Sequence, residues 1–371
     1  IMNPAVLIEF VRILLFYIEK GAKLIRLDAI AFLWKIAGTT SIHLEQTHLV
    51  IQIMRDALAL VAPDVIIITE TNVPHEENIS YFGDGTNEAH MVYQFPLPPL
   101  ILHTMTAGNT SALTQWAASL QPAGELTTFF NFIASHDGIG LRPVTGILTD
   151  EEVQTLVNTA MEHGGNVSFK NNGDGSQSPY ELNVSYFDAI NHPDLVNDAP
   201  EVAVKRFIAS QSIGLCLAGV PGIYFHSLFG SRNYSQGVQQ TGRFRSINRE
   251  KLQLTTLQAE LNDPTSIRAQ VFERYKNLLS IRRQQSAFHP LAAQIIHQIH
   301  PSVFVVERYN SDTDERILCL TNVTSDPIEI TLQVDGDHWH DLIQNQNHDA
   351  QHNNLTIRLV PYQIAWMKLL S

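Results

Sequence analysis

Three stretches decide the fold of this chain: Leu24-Ile-Arg-Leu-Asp-Ala29, Val65-Ile-Ile-Ile-Thr-Glu-Thr-Asn72 and Phe129-Phe-Asn-Phe-Ile-Ala-Ser-His-Asp137. Each begins with a short apolar run that is typical of a buried strand, and each reaches an acidic residue where that run stops. A carboxylate at the end of a buried strand costs desolvation free energy that packing alone does not explain. The three strand ends therefore indicate one shared functional site.

Helical patterns alternate with these strands, and this order is typical of βα units with parallel strand pairing. Five strands of one sheet are predicted, at 23–29, 65–71, 90–95, 128–135 and 219–227. In a (β/α)8 barrel all strands deliver their carboxyl ends to one face, so Asp28, Glu70 and Asp137 are expected to converge there. The predicted fold class is therefore α/β, with a (β/α)8 TIM barrel.

The C-terminal part of the chain has a different pattern of short alternating strands, predicted at 303–309, 317–322, 328–334 and 355–359. Such strands are typical of an antiparallel β domain. We therefore expect a barrel domain over 1–286 and a C-terminal β domain over 287–371. Within the barrel, a Gly-rich polar stretch predicts a loop excursion at about 141–218.

Composition excludes several classes of protein. The chain has 371 residues and a formal net charge of −13, with no cluster of Lys and Arg, so a nucleic-acid partner is not expected. Its apolar stretch at 6–18 contains Glu9 and Arg12 and is too short to span a bilayer, so we expect a helix and no membrane association. Cys216 and Cys319 lie in apolar stretches, which argues against a disulfide framework or a cysteine metal site and favours the cytoplasm.

Five motifs in a fixed order carry a family resemblance: Ile25-Arg-Leu-Asp-Ala-Ile-Ala-Phe-Leu-Trp-Lys35, Thr69-Glu-Thr-Asn-Val-Pro-His75, Gln94-Phe-Pro-Leu-Pro-Pro99, Ser135-His-Asp-Gly-Ile-Gly140 and Arg245-Ser-Ile-Asn-Arg249. Through Asp28, Glu70 and Asp137 with their neighbours, the chain resembles the α-amylase superfamily, glycoside hydrolase family thirteen. More narrowly, it resembles the sucrose phosphorylase subfamily, which includes glucosylglycerate and sucrose 6-phosphate phosphorylases. The resemblance extends over nearly the whole chain.

The resemblance implies catalytic roles for three carboxyl groups. Asp28 is the expected nucleophile, Glu70 the acid/base and Asp137 the group that stabilises the oxocarbenium-like transition state. Apolar strand neighbours favour the protonated form of Glu70, so that it can donate a proton. Further residues are expected to bind substrate: Arg26, His136, Arg245, Tyr180 and Glu181.

The implied reaction is a retaining double displacement catalysed by a glycoside phosphorylase. It transfers an α-glucosyl unit from sucrose, glucosylglycerate or sucrose 6-phosphate to inorganic phosphate and gives α-glucose 1-phosphate. The residues at 78–100 look more like the glucosylglycerate and sucrose-phosphate branch of the subfamily. No metal or other cofactor is expected, and the partners are a small sugar and phosphate, the latter as co-substrate.

Each candidate also has a purely structural interpretation. Asp28 can form an ion pair with Arg26, which lies two positions away on the same strand. Glu70 can cap the following turn, Asp137 can form an Asx-turn before Gly138, and Arg245 with its neighbouring arginines can neutralise acidic residues such as Glu250. Tyr180 and Glu181 can belong to a surface Ω-loop that makes no contact with substrate.

Two alternative functions remain open at this stage. One is an α-glucoside hydrolase or transglucosidase, in which water or another sugar replaces phosphate. The other is a non-catalytic remnant, because in the family the strand that carries Asp28 is the fourth of the barrel. Strands one to three are then expected to precede position 1, and the missing N-terminal barrel segment is a predicted partner.

Overall fold

The computed structural model describes residues 2–121 and 124–370. Its helices are α1 (Pro4–Glu19), α2 (Glu45–Val61), α3 (His75–Ile79), α4 (Leu97–Ala107), α5 (Ser111–Ser119), α6 (Asp150–Glu162), α7 (Tyr186–Ile190), α8 (Pro193–Asp198), α9 (Pro200–Cys216), α10 (Phe225–Leu228), α11 (Ser235–Thr241), α12 (Leu254–Asn262) and α13 (Ile267–Arg283). Its strands are β1 (Leu24–Leu27), β2 (Ile66–Thr69), β3 (Met91–Tyr93), β4 (Thr128–Phe132), β5 (Ile139–Gly140), β6 (Asn166–Asn171), β7 (Gln177–Asn183), β8 (Val220–Gly222), β9 (Ala293–His300), β10 (Val303–Asn310), β11 (Glu315–Asn322), β12 (Ile328–Gln333), β13 (His338–Asp341), β14 (Gln346–Asp349), β15 (Asn354–Leu359) and β16 (Ile364–Leu369). Across the described part of the chain, no helix combines the length and the apolar character that a membrane span requires.

Two compact units make up the chain, and each has its own core. The first contains residues 1–95 and 121–130, and the second contains 96–120 and 131–371. The boundary between barrel and C-terminal domain expected at 286/287 stays a prediction.

The first unit is built on a parallel sheet. Strand β1 pairs with β2 from Leu24 opposite Ile66 to Leu27 opposite Thr69, β2 pairs with β3, and β3 pairs with β4, all in parallel. The predicted strands are confirmed here. Three of the four residues of β2, an Ile run followed by Thr69, are buried, as is typical of a parallel strand, whereas β1 is buried only at Leu27. Helix α1, which contains the apolar stretch at 6–18, begins at Pro4, because the Asn3 side chain accepts a hydrogen bond from the Ala5 amide at 3.0 Å and Pro4 suits the first turn.

The second unit contains β8 together with Asn131 and Phe132, the last two residues of β4. Asn131, near the end of β4, donates hydrogen bonds from its side chain to the carbonyls of Leu217 and Ala218 at 3.4 and 2.9 Å. This buried amide ties the end of β4 to the segment that leads into β8. All five strands predicted for the sheet are therefore confirmed.

The Gly-rich stretch, for which the sequence predicts a loop, contains a β-hairpin. Strands β6 and β7 pair antiparallel, β5 joins the other side of β7, and the pairing shifts register between Ser168 and Phe169. Only Val167 of the six residues of β6 is buried and four of them are polar, so the sequence of β6 gives a weak strand signal. The hairpin fixes the backbone of Glu181, which pairs with Gly140 on one side and Ser168 on the other.

Antiparallel sheets form the C-terminal part of the second unit. One has six strands in the order β14-β13-β16-β11-β10-β9, and the other pairs β12 with β15. Their shared core includes Trp339, Val305, Leu320 and Leu355, all almost fully buried. The predicted antiparallel strands of this region are confirmed.

Candidate active site

Two carboxylates of the first unit lie just after neighbouring strands. Asp28 follows β1 and Glu70 follows β2, and the Glu70 amide donates to the Leu27 carbonyl at 3.0 Å. Because β1 and β2 are parallel, both side chains stand at the same edge of the sheet. The Glu70 side chain also accepts a hydrogen bond from the amide of Ala29 at 2.9 Å, which places its carboxylate next to the backbone that follows Asp28.

Arg26 contacts both of these carboxylates. Its Nη1 atom lies 2.6 Å from Asp28 Oδ1, and its Nη2 atom lies 3.7 Å from Glu70 Oε2. Asp28 is 71% exposed, whereas Glu70 is only 14% exposed. The Arg26 guanidinium therefore contacts one carboxylate that is open to solvent, Asp28, and one that is largely buried, Glu70.

Tyr93 completes the environment of Arg26. The Arg26 guanidinium carbon lies 5.5 Å from the centroid of the Tyr93 ring, within the range of a cation–π contact. Burial alone would lower the pKa of Arg26, but Tyr93, Glu70 and Asp28 together raise it above its ordinary value. Arg26 thus stays charged beside Asp28, and a neighbouring cation favours the ionised, nucleophilic form of a carboxylate.

Buried polar atoms mark the same end of the sheet in the first unit. Both side-chain polar atoms of Gln94, which follows β3, and the hydroxyl of Thr69, the last residue of β2, have no hydrogen-bond partner among the described residues. Gln94 is 1% exposed and Thr69 is fully buried. Because unsatisfied buried polar groups are costly, such atoms point to groups that a bound molecule or water satisfies.

In the second unit, Arg245 bridges two carboxylates. It donates two hydrogen bonds to Glu181, from Nε to Oε1 at 2.9 Å and from Nη2 to Oε2 at 2.6 Å, and a third from Nη1 to Asp137 Oδ1 at 2.6 Å. These hydrogen bonds to Glu181 raise the pKa of Arg245, with further support from the charge of Asp137 and against the effect of burial. Glu181 is 3% exposed, so this planar bidentate pair is largely withdrawn from water.

The segment around Asp137 is held by two more residues of the Arg245 stretch. Arg249 contacts Asp137 Oδ1 at 3.1 Å and donates from Nε to the His136 carbonyl at 2.5 Å. Asn248 donates to the carbonyls of Ser135 and Asp137 at 3.2 and 2.8 Å. The Asp137 carboxylate is therefore oriented by two guanidinium groups, and its backbone is held by a buried amide.

Gly138 is required by close packing. A Cβ atom at this position would lie 2.5 Å from the Leu182 carbonyl oxygen and 2.6 Å from Glu181 Cγ. The missing side chain lets the segment after Asp137 approach β7, and this approach brings Asp137 and Glu181 to the same guanidinium.

The predicted residues thus form two groups. Arg26, Asp28 and Glu70 lie together in the first unit, and Asp137, Arg245 and Glu181 lie together in the second. His136 is 56% exposed, with its Nε2 atom 3.7 Å from Asp137 Oδ2, and Tyr180 lies on β7 next to Glu181. The convergence of Asp28, Glu70 and Asp137 at one site stays a prediction.

Sequence reasoning did not assign roles to two residues of these groups, Asn248 and Gln94, whereas it considered Tyr93 as a sugar-stacking or acceptor contact or as a core residue. Gln94 and Asn248 lie inside motifs that carry the family resemblance, which is the signal that singles them out. Arg245 contacts the acidic residues Glu181 and Asp137, whereas Glu250, the example that the structural alternative named, lies 3.7 Å from Arg268.

Comparison with known proteins agrees with the predicted resemblance. The chain is 45% identical over 365 residues to a glucosylglycerate phosphorylase of Allomeiothermus silvanus, a match that covers 98% of the chain and 63% of that relative. It is 25% identical over 266 residues to a sucrose phosphorylase of Bifidobacterium adolescentis, which covers 69% of the chain and 49% of that protein. The chain therefore spans less than two thirds of the length of these relatives. No family model matches the chain.

A solved structure has the same fold. The crystal structure of sucrose 6F-phosphate phosphorylase from Thermoanaerobacter thermosaccharolyticum matches with a TM-score of 0.71 at 18% identity, over 94% of this chain and 63% of that one. The parallel sheet and the antiparallel C-terminal sheets fit the predicted fold class of a TIM-barrel enzyme with a C-terminal β domain. The chain is a homologue of the glucosylglycerate phosphorylases and, more distantly, of the sucrose phosphorylases, which confirms the predicted resemblance.

Proposed function

We propose that the protein is a retaining α-glucoside phosphorylase and that its preferred donor is glucosylglycerate. The donor is proposed from the 45% identity to a glucosylglycerate phosphorylase, against 25% to a sucrose phosphorylase. The reaction releases glycerate and transfers the glucosyl unit to inorganic phosphate, which gives α-glucose 1-phosphate.

The observation that carries this proposal is the contact of Arg26 with both Asp28 and Glu70. A retaining mechanism requires one ionised carboxylate and one proton donor about 5 Å apart. Asp28 is exposed beside a cation, which suits a nucleophile, while Glu70 is largely buried, which suits a group that exchanges a proton.

In the first step, the Asp28 carboxylate attacks the anomeric carbon and Glu70 gives its proton to the departing glycosidic oxygen. The products are a β-glucosyl ester of Asp28 and free glycerate. In the second step, a phosphate oxygen attacks the same carbon, the ester bond breaks, and Glu70 takes up the proton of the phosphate. Two inversions give net retention, and this scheme needs carboxyl groups and phosphate but no cofactor.

The other predicted residues receive roles from the family resemblance. Asp137 is proposed to stabilise the positive charge of the transition state, and His136 and Arg245 to bind glucosyl hydroxyl groups or phosphate. Glu181 is proposed to position Arg245, because its carboxylate is buried and engaged by that guanidinium. Tyr180, the residue before it on β7, is proposed to face the acceptor.

A cytoplasmic location is proposed as well. Cys216 and Cys319 are both buried free thiols, which fits a reducing compartment.

The test measures glucose 1-phosphate after the full-length protein is mixed with glucosylglycerate, sucrose or sucrose 6-phosphate, each with and without phosphate. We expect product only with phosphate, and the highest kcat/KM with glucosylglycerate. Release of free glucose at the same rate without phosphate would show a hydrolase and overturn the proposal. A preference for sucrose or sucrose 6-phosphate would overturn only the choice of donor.

A further inference from the structure

A cavity lies in the second unit, among residues that are not part of the proposed catalytic site. Its volume is about 550 Å³, which lies in the range of small-molecule sites. Helices α9 and α13 line it together with the turn that connects β15 to β16 and the residues that follow β13. Its apolar part includes Ile208 and Leu278, which are almost fully buried.

Two cations line this cavity without a counter-ion. The side chains of Lys205 on α9 and Arg274 on α13 make no hydrogen bond or ion pair among residues 2–121 and 124–370. No Asp or Glu is among the described residues that line the cavity, although the whole chain has a net charge of −13. Burial lowers the pKa of Arg274, because its charge is partly desolvated without a nearby carboxylate. A bound anion would supply the missing charge.

Tyr362 gives the cavity an aromatic wall held in an unusual conformation. Its φ of 55° lies in the left-handed region, which a non-glycine residue rarely adopts. The Tyr362 amide donates to the Thr324 carbonyl at 3.1 Å, and its ring lies 5.8 Å from the guanidinium carbon of Arg206. Such strained residues are concentrated at ligand-binding sites. Gln344 and Gln363 line the cavity beside Tyr362, and the Gln363 side-chain oxygen accepts a hydrogen bond from the Val360 amide at 2.9 Å.

We propose that this cavity binds an anionic sugar, with its phosphate or carboxylate group on Lys205 and Arg274. The sugar ring packs against Tyr362, and its hydroxyl groups contact the amide side chains. An aromatic face beside amides suits a sugar ring, and the two cations select one that carries negative charge. The site lies beyond the proposed catalytic reaction and does not depend on it.

The test is calorimetric titration of the full-length protein with glucose 1-phosphate, glucuronate, inorganic phosphate and glucose. The first two probes distinguish a phosphate from a carboxylate on the sugar. The variant K205Q/R274Q removes both cations. The matched control K276Q removes a cation from α13 that is already paired with Glu273 at 2.7 Å.

We expect at least one of the two anionic sugars to bind this cavity at least tenfold more tightly than glucose or phosphate alone. The double variant should lose one binding site and the control should lose none, because each charged contact contributes about tenfold in affinity or more. If glucose 1-phosphate is the sugar that binds this cavity and the catalytic proposal also holds, it binds at two sites in the parent and at one in the double variant. If the catalytic proposal fails, these numbers are one and none. Unchanged stoichiometry and affinity in K205Q/R274Q, or phosphate alone binding as tightly as both anionic sugars, would overturn the proposal.

Discussion

Arg26 and Arg245 each contact two carboxylates, but the two clusters differ in how strongly the acids are held. Arg26 makes one contact of 2.6 Å to Asp28, which is 71% exposed, and a longer contact of 3.7 Å to Glu70. Arg245 makes a bidentate pair with Glu181, which is 3% exposed, and shares Asp137 with Arg249. An exposed carboxylate with a single contact stays available for reaction, whereas a buried bidentate carboxylate has its oxygens engaged.

We therefore expect the cluster of Arg26, Asp28 and Glu70, the Arg26 cluster, to carry out the reaction. The cluster of Arg245, Glu181 and Asp137, the Arg245 cluster, contains the buried pair of Arg245 and Glu181, which we expect to stabilise the fold. The Arg26 cluster should affect turnover more than stability, and the Glu181 pair should affect stability first.

The largest effect is expected for Asp28→Asn. The substitution removes the proposed nucleophile, and kcat should fall by about 10⁴-fold or more. Because Asp28 is mostly exposed, the free energy of unfolding should change by less than about 1 kcal/mol. Steady-state kinetics and denaturant unfolding measure the two quantities.

A matched control is Asp64→Asn, which removes an exposed carboxylate before β2, at the opposite end of that strand from Glu70. It should leave kcat and stability unchanged. Retention of more than about 1% of kcat in D28N would contradict the nucleophile assignment.

The second largest loss of activity is expected for Glu70→Gln. Because glutamine cannot donate a proton to the leaving group, kcat for glucosylglycerate should fall by about 10²- to 10⁴-fold. The glutamine oxygen can still accept the hydrogen bond from the Ala29 amide, so the local structure should persist.

A donor whose leaving group needs no proton provides the control for E70Q. With α-glucosyl fluoride, formation of the glucosyl-enzyme should recover to within about tenfold of the parent rate. An equal loss of rate with both donors would show that Glu70 supports the local structure rather than transferring a proton. The proposed difference in role between the Arg26 cluster and the Arg245 cluster would then be wrong.

The sequence predicted the Arg26 cluster better than the Arg245 cluster, for a physical reason. Asp28 and Glu70 follow neighbouring parallel strands, and the apolar runs before them, Leu/Ile-rich in β1 and Ile-rich in the largely buried β2, identify those strands without knowledge of the fold. The partner of Arg245 lies 64 residues away in sequence, and neither spacing nor periodicity identifies such a long-range pair. The sequence therefore predicted Arg245 and Glu181 as site residues but not that they bind each other.

The strands also show that sequence patterns do not identify structure that depends on long-range contacts. The strand β10 was predicted at 303–309 and forms at Val303–Asn310, because it is buried over most of its length. Strands β13 and β14 were not predicted, since their hairpin consists largely of His, Asn and Asp and is held by pairing with each other and with β16. Tertiary contacts decide such segments, and local propensity does not.

A smaller effect is expected for Glu181→Gln, which tests the supporting side of the comparison. The neutral amide leaves Arg245 without its bidentate counter-ion, so the free energy of unfolding should fall by about 1–3 kcal/mol. Chemical denaturation measures this loss. The control Glu162→Gln, at the exposed end of α6, should change it by less than about 0.5 kcal/mol. If E181Q were as stable as the parent while kcat fell as far as in D28N, Glu181 would belong to the chemistry.

The smallest effect is expected for Arg249→Gln. Arg249 contributes one contact to Asp137, which keeps its hydrogen bond from Arg245, and one to the His136 carbonyl. Because Arg249 is 41% exposed, its loss should lower kcat/KM by about three- to tenfold and stability by less than about 1 kcal/mol. The control Arg243→Gln removes an exposed guanidinium from the same stretch and should change neither quantity. A loss of kcat/KM in R249Q that matched the loss in E70Q would show that the orientation of Asp137 depends on Arg249 rather than on the buried pair of Arg245 and Glu181.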